Sequence, residues 1–285
     1  MILPIFGCFK QKSLENNQKY GRKKFRAANP VKYHFYNLKA ALRYVREFFA
    51  CPHYTDYLKI PVIINNFNRV TSLRLLIDSL EKRGYKNIII IDNNSTFPPL
   101  LEYYKKCPYR LLRLKDNLGS NALWKISLYE EVKKDFFVYT DSDMVPVDEC
   151  PGDFMLFFLN TLKTHRLAQK VGFSLKIDDL PDNNLMKQSI IGFEEHFFTD
   201  YREDELLCRA PIATTFAMYR PFGQRKHANN HITMYRTDFP YMARHLPWYQ
   251  DTLKPDDEER YYLEHLGHST WWTTRGKRAM DEGKK

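Results

Sequence analysis

Between residues 59 and 141 the sequence repeats one pattern four times: a short strand-like run ends in a polar cluster, and a helix-like stretch follows. The runs are KIPVII (59–64), NIIIID (87–92), RLLRLK (110–115) and DFFVYTD (135–141). Continuous apolar runs such as NIIIID are typical of strands buried on both faces, hence of a parallel sheet covered by helices. After the first run, Thr71 or Ser72 is placed to cap a helix in which Leu73, Leu76, Ile77 and Leu80 share one face, with Gly84 as its stop. A short helix is expected over 100–106 and another over 122–133. Strand–helix alternation with short connections predicts an α/β fold: a Rossmann-like mixed sheet, mostly parallel, with helices on both faces. Ligands of such sheets sit beyond the carboxyl ends of the strands, so the residues after each run are the ones to read for chemistry.

Those residues are Asn65, Asn66, Phe67, Asn68 and Arg69 after the first strand, and Asp92, Asn93, Asn94 and Ser95 after the second. Asp116, Asn117, Leu118 and Gly119 follow the third, and Asp141, Ser142 and Asp143 end the fourth. One Asn-rich turn means only a turn, because Asn and Asp bond their own backbone. Four at one sheet edge point to a polar ligand site. Asp141 and Asp143 alternate at a strand end, where two carboxylates can face one hard cation, Mg²⁺ or Mn²⁺, which in turn neutralises a diphosphate.

Charge divides the chain. Residues 1–60 carry 12 Lys+Arg against 3 Asp+Glu, while the remaining 225 residues carry 32 against 31. The division expected is a basic N-terminal arm and helix (1–58) ahead of a nearly neutral domain (59–285), itself split into a regular half (59–145) and a less regular half (146–285). In the arm, Phe35, Leu38, Leu42, Val45 and Phe49 recur at helical spacing, with Lys32, Lys39, Arg43 and Arg46 on another face. That apolar face can pack on the main domain or lie on a membrane surface. The neutral body argues against broad nucleic-acid binding. No apolar run reaches the length of a membrane-spanning helix, and the opening MILPIFGCF lacks the marks of a signal peptide. Five scattered cysteines without a CxxC fit a reducing cytoplasm better than a disulfide framework.

PVIINNFNR, IIIIDNNST, DNLGSN and YTDSDMVP stand in the order and spacing of four motifs of GT-A glycosyltransferases, and the segment 60–145 most resembles the family-2 group. The resemblance implies a nucleotide-sugar donor and a Mn²⁺ or Mg²⁺ cofactor. It places Phe67 and Arg69 at the nucleotide, Asp92 on the base, Asn117 and Gly119 at the ribose and phosphate, and Lys125 on the diphosphate. Asn66, Asn93, Asp141 and Ser142 complete the implied donor set. Asp141 and Asp143 hold the metal, with His245 as third ligand and His231 as its rival. Asn65-Asn66 stands where the family more often has Pro-Thr, so the base that is read stays open.

The second half is less regular. VGFSLKIDDLP (171–181) and APIATTFAMYR (210–220) read as strands, and RHLPWY (244–249) as an aromatic loop. Trp248 and Tyr249, with Asp178, are candidates for holding the acceptor, since aromatic faces suit the C–H faces of sugars. Trp271 and Trp272 read equally well as core. An inverting transfer needs a carboxylate base. Similar sequences more often carry Asp at the place occupied here by Ala213, so either Asp178, Asp179, Glu194 or Glu195 serves, or the chain is impaired in transfer. The function expected is a metal-dependent, inverting glycosyltransferase acting on a glycan or lipid-linked saccharide, held peripherally at the inner face of the cell membrane. A sugar-phosphate nucleotidyltransferase is the alternative enzyme, although NNFNR (65–69) contains no glycine where that class carries a Gly-rich loop. A nucleic-acid binding module using the basic arm is the non-enzymatic alternative.

Overall fold

The computed structural model describes residues 30–50, 56–199, 202–212, 216–224 and 233–266. Ala213, His231, Trp271 and Trp272 lie outside these. An eight-stranded sheet runs in the order β3 (Arg110–Arg113), β2 (Ile88–Asp92), β1 (Val62–Asn66), β4 (Phe137–Asp141), β9 (Ala217–Tyr219), β6 (Lys170–Gly172), β10 (Met234–Thr237), β8 (Leu207–Cys208). The first four strands are parallel. Strand β9 is antiparallel to both neighbours, β10 is parallel to β6, and β8 is antiparallel to β10. The sheet is therefore mixed and mostly parallel, with strands from both halves of the sequence. A small sheet, β5 (Met144–Pro146), β11 (Met242–His245) and β7 (Ser174–Leu175), lies beyond β4.

Apolar runs form the central strands because both of their faces are covered. Val62, Ile64, Ile88, Ile90 and Val138 enter one core with the helices α2 (Thr71–Lys82) and α5 (Phe154–Thr164). Ile63, Ile89, Ile91, Phe137 and Tyr139 enter a second core on the opposite face. Leu73, Leu76, Ile77 and Leu80 of α2 are buried as their spacing predicts, and Gly84 ends that segment at φ +84°, a backbone state costly for residues with a Cβ. Gly172 is needed for a different reason. A Cβ there would sit 2.6 Å from the Phe216 carbonyl oxygen, and this closeness lets β6 and β9 pair.

Several expectations need correction. The first strand runs to Asn66, so Asn65 and Asn66 belong to β1 rather than to the turn after it. Neither Thr71 nor Ser72 caps α2; the Glu258 carboxylate, far along the chain, accepts from the Val70 and Thr71 amides at 2.8 and 2.9 Å. The helix expected over 122–133 is a 3-10 stretch, Gly119–Lys125, then an extended Ile126, then α4 (Leu128–Val132). Tertiary contacts override the local period there: the Trp124 indole and the Tyr129 hydroxyl both donate to the Gly223 carbonyl, at 3.2 Å each. VGFSLK supplies two short strands, β6 and β7, that pair in different sheets. Among the described residues of APIATTFAMYR, Ala217–Tyr219 form a strand.

Helix α1 (Pro30–Ala50) confirms a helix in the basic arm, but its described apolar side chains do not pack on the domain. Leu38, Leu42, Val45 and Phe49 are 60, 58, 51 and 78 % exposed. Among the described residues no helix is long and apolar enough to cross a membrane.

A buried ion pair holds the far end of the sheet. Arg236 on β10 meets Glu194 of α6 (Lys187–Thr199), each side chain 3 % exposed, while Arg236 Nε donates to the Pro211 carbonyl at 2.7 Å. The Arg236 guanidinium also lies over the Phe197 ring, 4.1 Å from its centroid. Removing one partner strands the other charge in the interior. Glu194→Ala is therefore expected to lower stability by about 3–5 kcal/mol in denaturant unfolding. A change below 1 kcal/mol, the range of exposed pairs, would mean the pair is solvated in solution.

Candidate active site

The parallel pairing sets the ends of three strands at one level: Asn66 lies opposite Asp92, and Asn65 opposite Asp141. Their side chains are knitted together. Asn93 Nδ2 donates to Asn65 Oδ1 at 2.6 Å, and Asn65 Nδ2 to Asp141 Oδ1 at 3.3 Å. The Asn66 amide donates to the Tyr104 hydroxyl at 2.8 Å and accepts from Ser142 Oγ at 2.6 Å. Asp92 is fully buried and accepts from Tyr104, the Ser95 amide and Arg113 Nε. Asn93 Oδ1 accepts from the Leu118 amide, and Asn117 Oδ1 accepts from the Gly119 amide. Asn68 and Asn94 at φ 52° and 63°, and Gly119 at φ 71°, supply the left-handed corners these turns need. Much of the Asn and Asp content at this edge thus joins strand to strand. Asn66, Asp92, Asn93 and Ser142, expected to touch the donor, are buried members of that network.

One part of the edge is left incompletely bonded. Pairing of β5 with β11 sets His245 opposite Met144, and so beside Asp143. His245 Nε2 is 3.6 Å and Arg69 Nε 3.8 Å from Asp143 Oδ2. Arg69, 4 % exposed, also meets Glu259 at 2.6 Å, at angles outside hydrogen-bond geometry, and lies 3.9 Å from the centroid of the Tyr262 ring. Among the described residues, Asp143 Oδ1, His245 Nδ1, Arg69 Nε and Glu259 Oε2 are buried without hydrogen-bond partners. Buried polar atoms are nearly always satisfied, so these orphans in one contact cluster make it a candidate place for a further ligand.

The electrostatics agree. Burial pushes the Asp143 carboxyl up, but His245 and Arg69 pull it further down, so it sits below its ordinary value and is ionised at neutral pH. Burial lowers Arg69, and Glu259, Asp143 and Tyr262 outweigh it, holding the guanidinium charged. Burial pushes the Tyr262 hydroxyl up to about 12. Burial likewise lifts Cys150 and Cys208 to about 12, which removes them as nucleophiles.

No local pattern in the sequence marks the element that completes the cluster. Helix α7 (Asp257–Glu264) lies across the loops after β1 and β2. Glu258 holds the start of α2, Glu259 holds Arg69, Tyr262 packs edge-on against Phe67 at 6.0 Å, and Tyr261 stacks near Phe97 at 4.9 Å. Glu258 stands 188 positions from its Val70 partner, a distance no local pattern records.

Other expected site residues are placed as follows. Lys125 is exposed and donates to the Leu118 carbonyl at 2.9 Å. Trp248 is 5 % exposed and belongs to the core, edge-on to His245 at 4.9 Å, so it backs the histidine and offers no open face to a sugar. The Tyr249 hydroxyl donates to Asp179 Oδ1 at 2.6 Å, and Arg244 binds Asp179 Oδ2 at the same distance. Burial raises Asp179, but Tyr249 and Arg244 hold it below its ordinary value, which weakens it as a base. Asp178 pairs with Lys176 at 2.9 Å. Glu194 is spent on Arg236 and is corrected here as a candidate base, while Glu195 is exposed on α6.

Among the described residues no three His, Cys, Asp or Glu side chains gather as a ready metal cluster. The unused Asp143 oxygen beside His245 nevertheless fits a Mn²⁺ or Mg²⁺ ion that takes its remaining ligands from a bound diphosphate and water.

No protein-family model matches the chain, and no curated protein matches it. Among solved structures it is similar to S. aureus TarS 1-349, at 13 % identity and a TM-score of 0.40, over 78 % of this chain and 69 % of that one. It is also similar to a cytidylyltransferase from Leptospira borgpetersenii serovar Hardjo-bovis (strain JB197), at 11 % identity and a TM-score of 0.31, over 48 % of this chain and 71 % of that one.

Proposed function

We propose that the chain is a glycosyltransferase that moves a sugar from a nucleoside-diphosphate donor, UDP-sugar by preference, to a glycan or lipid-linked saccharide. The observation that carries this reading is the cluster Arg69–Asp143–His245–Glu259, largely buried and incompletely bonded, at the carboxyl edge of parallel strands. Sugar transfer from such a donor builds negative charge on the leaving diphosphate, and a preorganised cation is the largest help a site can give it. Asp143, with His245 and Asp141, would hold a divalent ion there, which when bound would supply Lewis-acid stabilisation of the leaving group. Glu259 and Tyr262 keep Arg69 charged and aimed at the same place. Phe67, Asn117, Gly119 and Lys125 line the donor on the open side of the strand-end network. The segment 59–145 serves the donor and 146–285 the acceptor, and inversion at the anomeric carbon requires a base in the second segment. The excess of base over acid in residues 1–60 draws the chain to an anionic membrane surface.

A thermal-shift screen of UDP-, GDP- and dTDP-sugars with and without Mn²⁺ tests the reading. A donor at 100 times its dissociation constant stabilises by about 2.7 kcal/mol. A shift that needs both nucleotide sugar and Mn²⁺ is expected. No shift with any of the three donors, with or without metal, would overturn the proposal. A nucleotidyltransferase would respond instead to a nucleoside triphosphate, and NNFNR (65–69), at the end of β1, lacks the glycines such a loop needs.

A further inference from the structure

Helix α1 is attached to the domain by its polar side. Arg43 Nη2 donates to the Ala168 and Leu167 carbonyls at 3.0 and 3.3 Å. Glu47, one turn on, binds the buried Arg220 at 2.7 Å, and Arg220 Nε donates to the Ala168 carbonyl at 2.9 Å. Burial, then the nearby Arg220, pushes Arg43 down to about 10, and burial raises Glu47, so this is a desolvated contact rather than a surface one. Successive helical residues advance by about 100°. Leu38, Leu42, Val45 and Phe49 therefore fall on the side opposite Arg43 and Glu47, and all four are more than half exposed. A helix that buries its ions and turns its leucines outward is inverted relative to the usual rule for a surface helix. The arrangement costs free energy in water unless the apolar stripe meets a second apolar phase.

The charge beside the stripe says which phase. Lys39 and Arg46 lie along one flank, between the docking face and the apolar stripe. At the C-terminal end of the helix a hollow of about 410 Å³ is lined by Arg46, Phe49, Ala50, Lys134 and Phe222. The Arg46 guanidinium lies 4.4 Å from the centroid of the Phe222 ring, which fixes its direction. Lys134 is exposed and has no acidic partner among the described residues. A water takes about 30 Å³ of liquid, so the hollow has room for a phosphate diester. Two copies of the chain meeting through this stripe would bring two basic flanks together. An anionic bilayer offers acyl chains to the stripe and phosphates to the flank at the same depth.

We propose that α1 is the membrane-docking element of this protein, its stripe Leu38–Leu42–Val45–Phe49 lying in the interface of an anionic bilayer and the Arg46–Lys134 hollow receiving a lipid phosphate. The inference rests on the reading above for the choice of a membrane as partner, and it names the surface that meets it. Because Arg220 and Glu47 fix the helix to the sheet domain, docking also fixes the orientation of the domain on the membrane.

The test is flotation of the full chain with vesicles of phosphatidylcholine alone and of phosphatidylcholine doped with phosphatidylglycerol. Three proteins are compared: the chain itself, Leu42→Glu with Val45→Glu, and Lys134→Ala. These positions are exposed, so the variants are expected to fold. The unaltered chain should float with the doped vesicles and much less with the neutral ones. The stripe variant should lose at least about tenfold in apparent affinity, the order expected for two apolar side chains left in water. Lys134→Ala should lose about fivefold at low salt. Equal flotation of Lys134→Ala overturns the hollow as the phosphate site, and flotation of the stripe variant equal to the unaltered chain overturns the assignment and leaves attachment to residues outside α1. So does equal flotation with both vesicle types, or a dimer that the stripe variant dissociates without any vesicle binding. A thermal shift with nucleotide sugar on the same proteins keeps the two readings apart. Loss of donor response with intact flotation counts against the transferase, and the reverse counts against the membrane face.

Discussion

Replacing Asp143 with alanine should abolish the Mn²⁺-dependent part of nucleotide-sugar binding. Among the described carboxylates of the strand edge, Asp143 combines a lowered pKa with a buried, unused oxygen. A metal ion stabilises developing charge by several kcal/mol. Taking about 4 kcal/mol, the loss in transfer rate is about a thousandfold. Titration calorimetry with UDP-sugar, with and without Mn²⁺, reads the effect directly. Asp143 also faces Arg69 and His245, so Asp143→Asn serves as the control: it keeps the volume, removes the charge, and should fail with metal in the same way. Unchanged metal-dependent affinity in both variants would remove the metal from this site. The lowered pKa adds a direction in pH. Asp143 itself should stay ionised as a ligand through the ordinary carboxylate range and be lost to protonation only as the pH drops below it.

Changing Ala213 to aspartate should raise the rate of transfer by about a hundred- to ten-thousand-fold, the usual effect of a general base. The residue itself is outside the described structure, but its surroundings are not. Ile212 is buried and its carbonyl accepts from Lys170 Nζ at 2.8 Å. Ala217, four residues on, lies opposite Tyr139, two positions before Asp141. Both described flanks, Ile212 and Ala217, are therefore anchored to the sheet that carries the Asp141–Asp143 edge. The other candidates are weaker. Glu194 is held in the interior by Arg236, and Asp179 is held by Tyr249 and Arg244. Turnover of Ala213→Asp and of the unaltered chain would be compared at saturating donor, with donor affinity measured separately. A gain in kcat with unchanged donor affinity supports the assignment. A normal rate in the unaltered chain would place the base elsewhere, with Glu195 next to be changed.

The sequence by itself determined the layered part of the fold. Unbroken apolar runs such as IIIID can satisfy both faces only inside a covered sheet, so β1, β2 and β4 and the level of their polar ends followed from residue order alone. Asp143 was legible for the same reason: a carboxylate just past a buried strand has few places to point. What only the tertiary structure decided was pairing between distant segments. The bonds of Asn65, Asn66 and Asn93 to one another turned expected ligand contacts into a scaffold, because register set their side chains face to face. His245 reached Asp143 through the pairing of β11 with β5, and Glu258 and Glu259 reached α2 and Arg69 across most of the chain. Helix α1 shows the limit best. Its period was plain in the sequence, but periodicity records that a helix has two unlike faces and not which of them a distant Arg220 will hold.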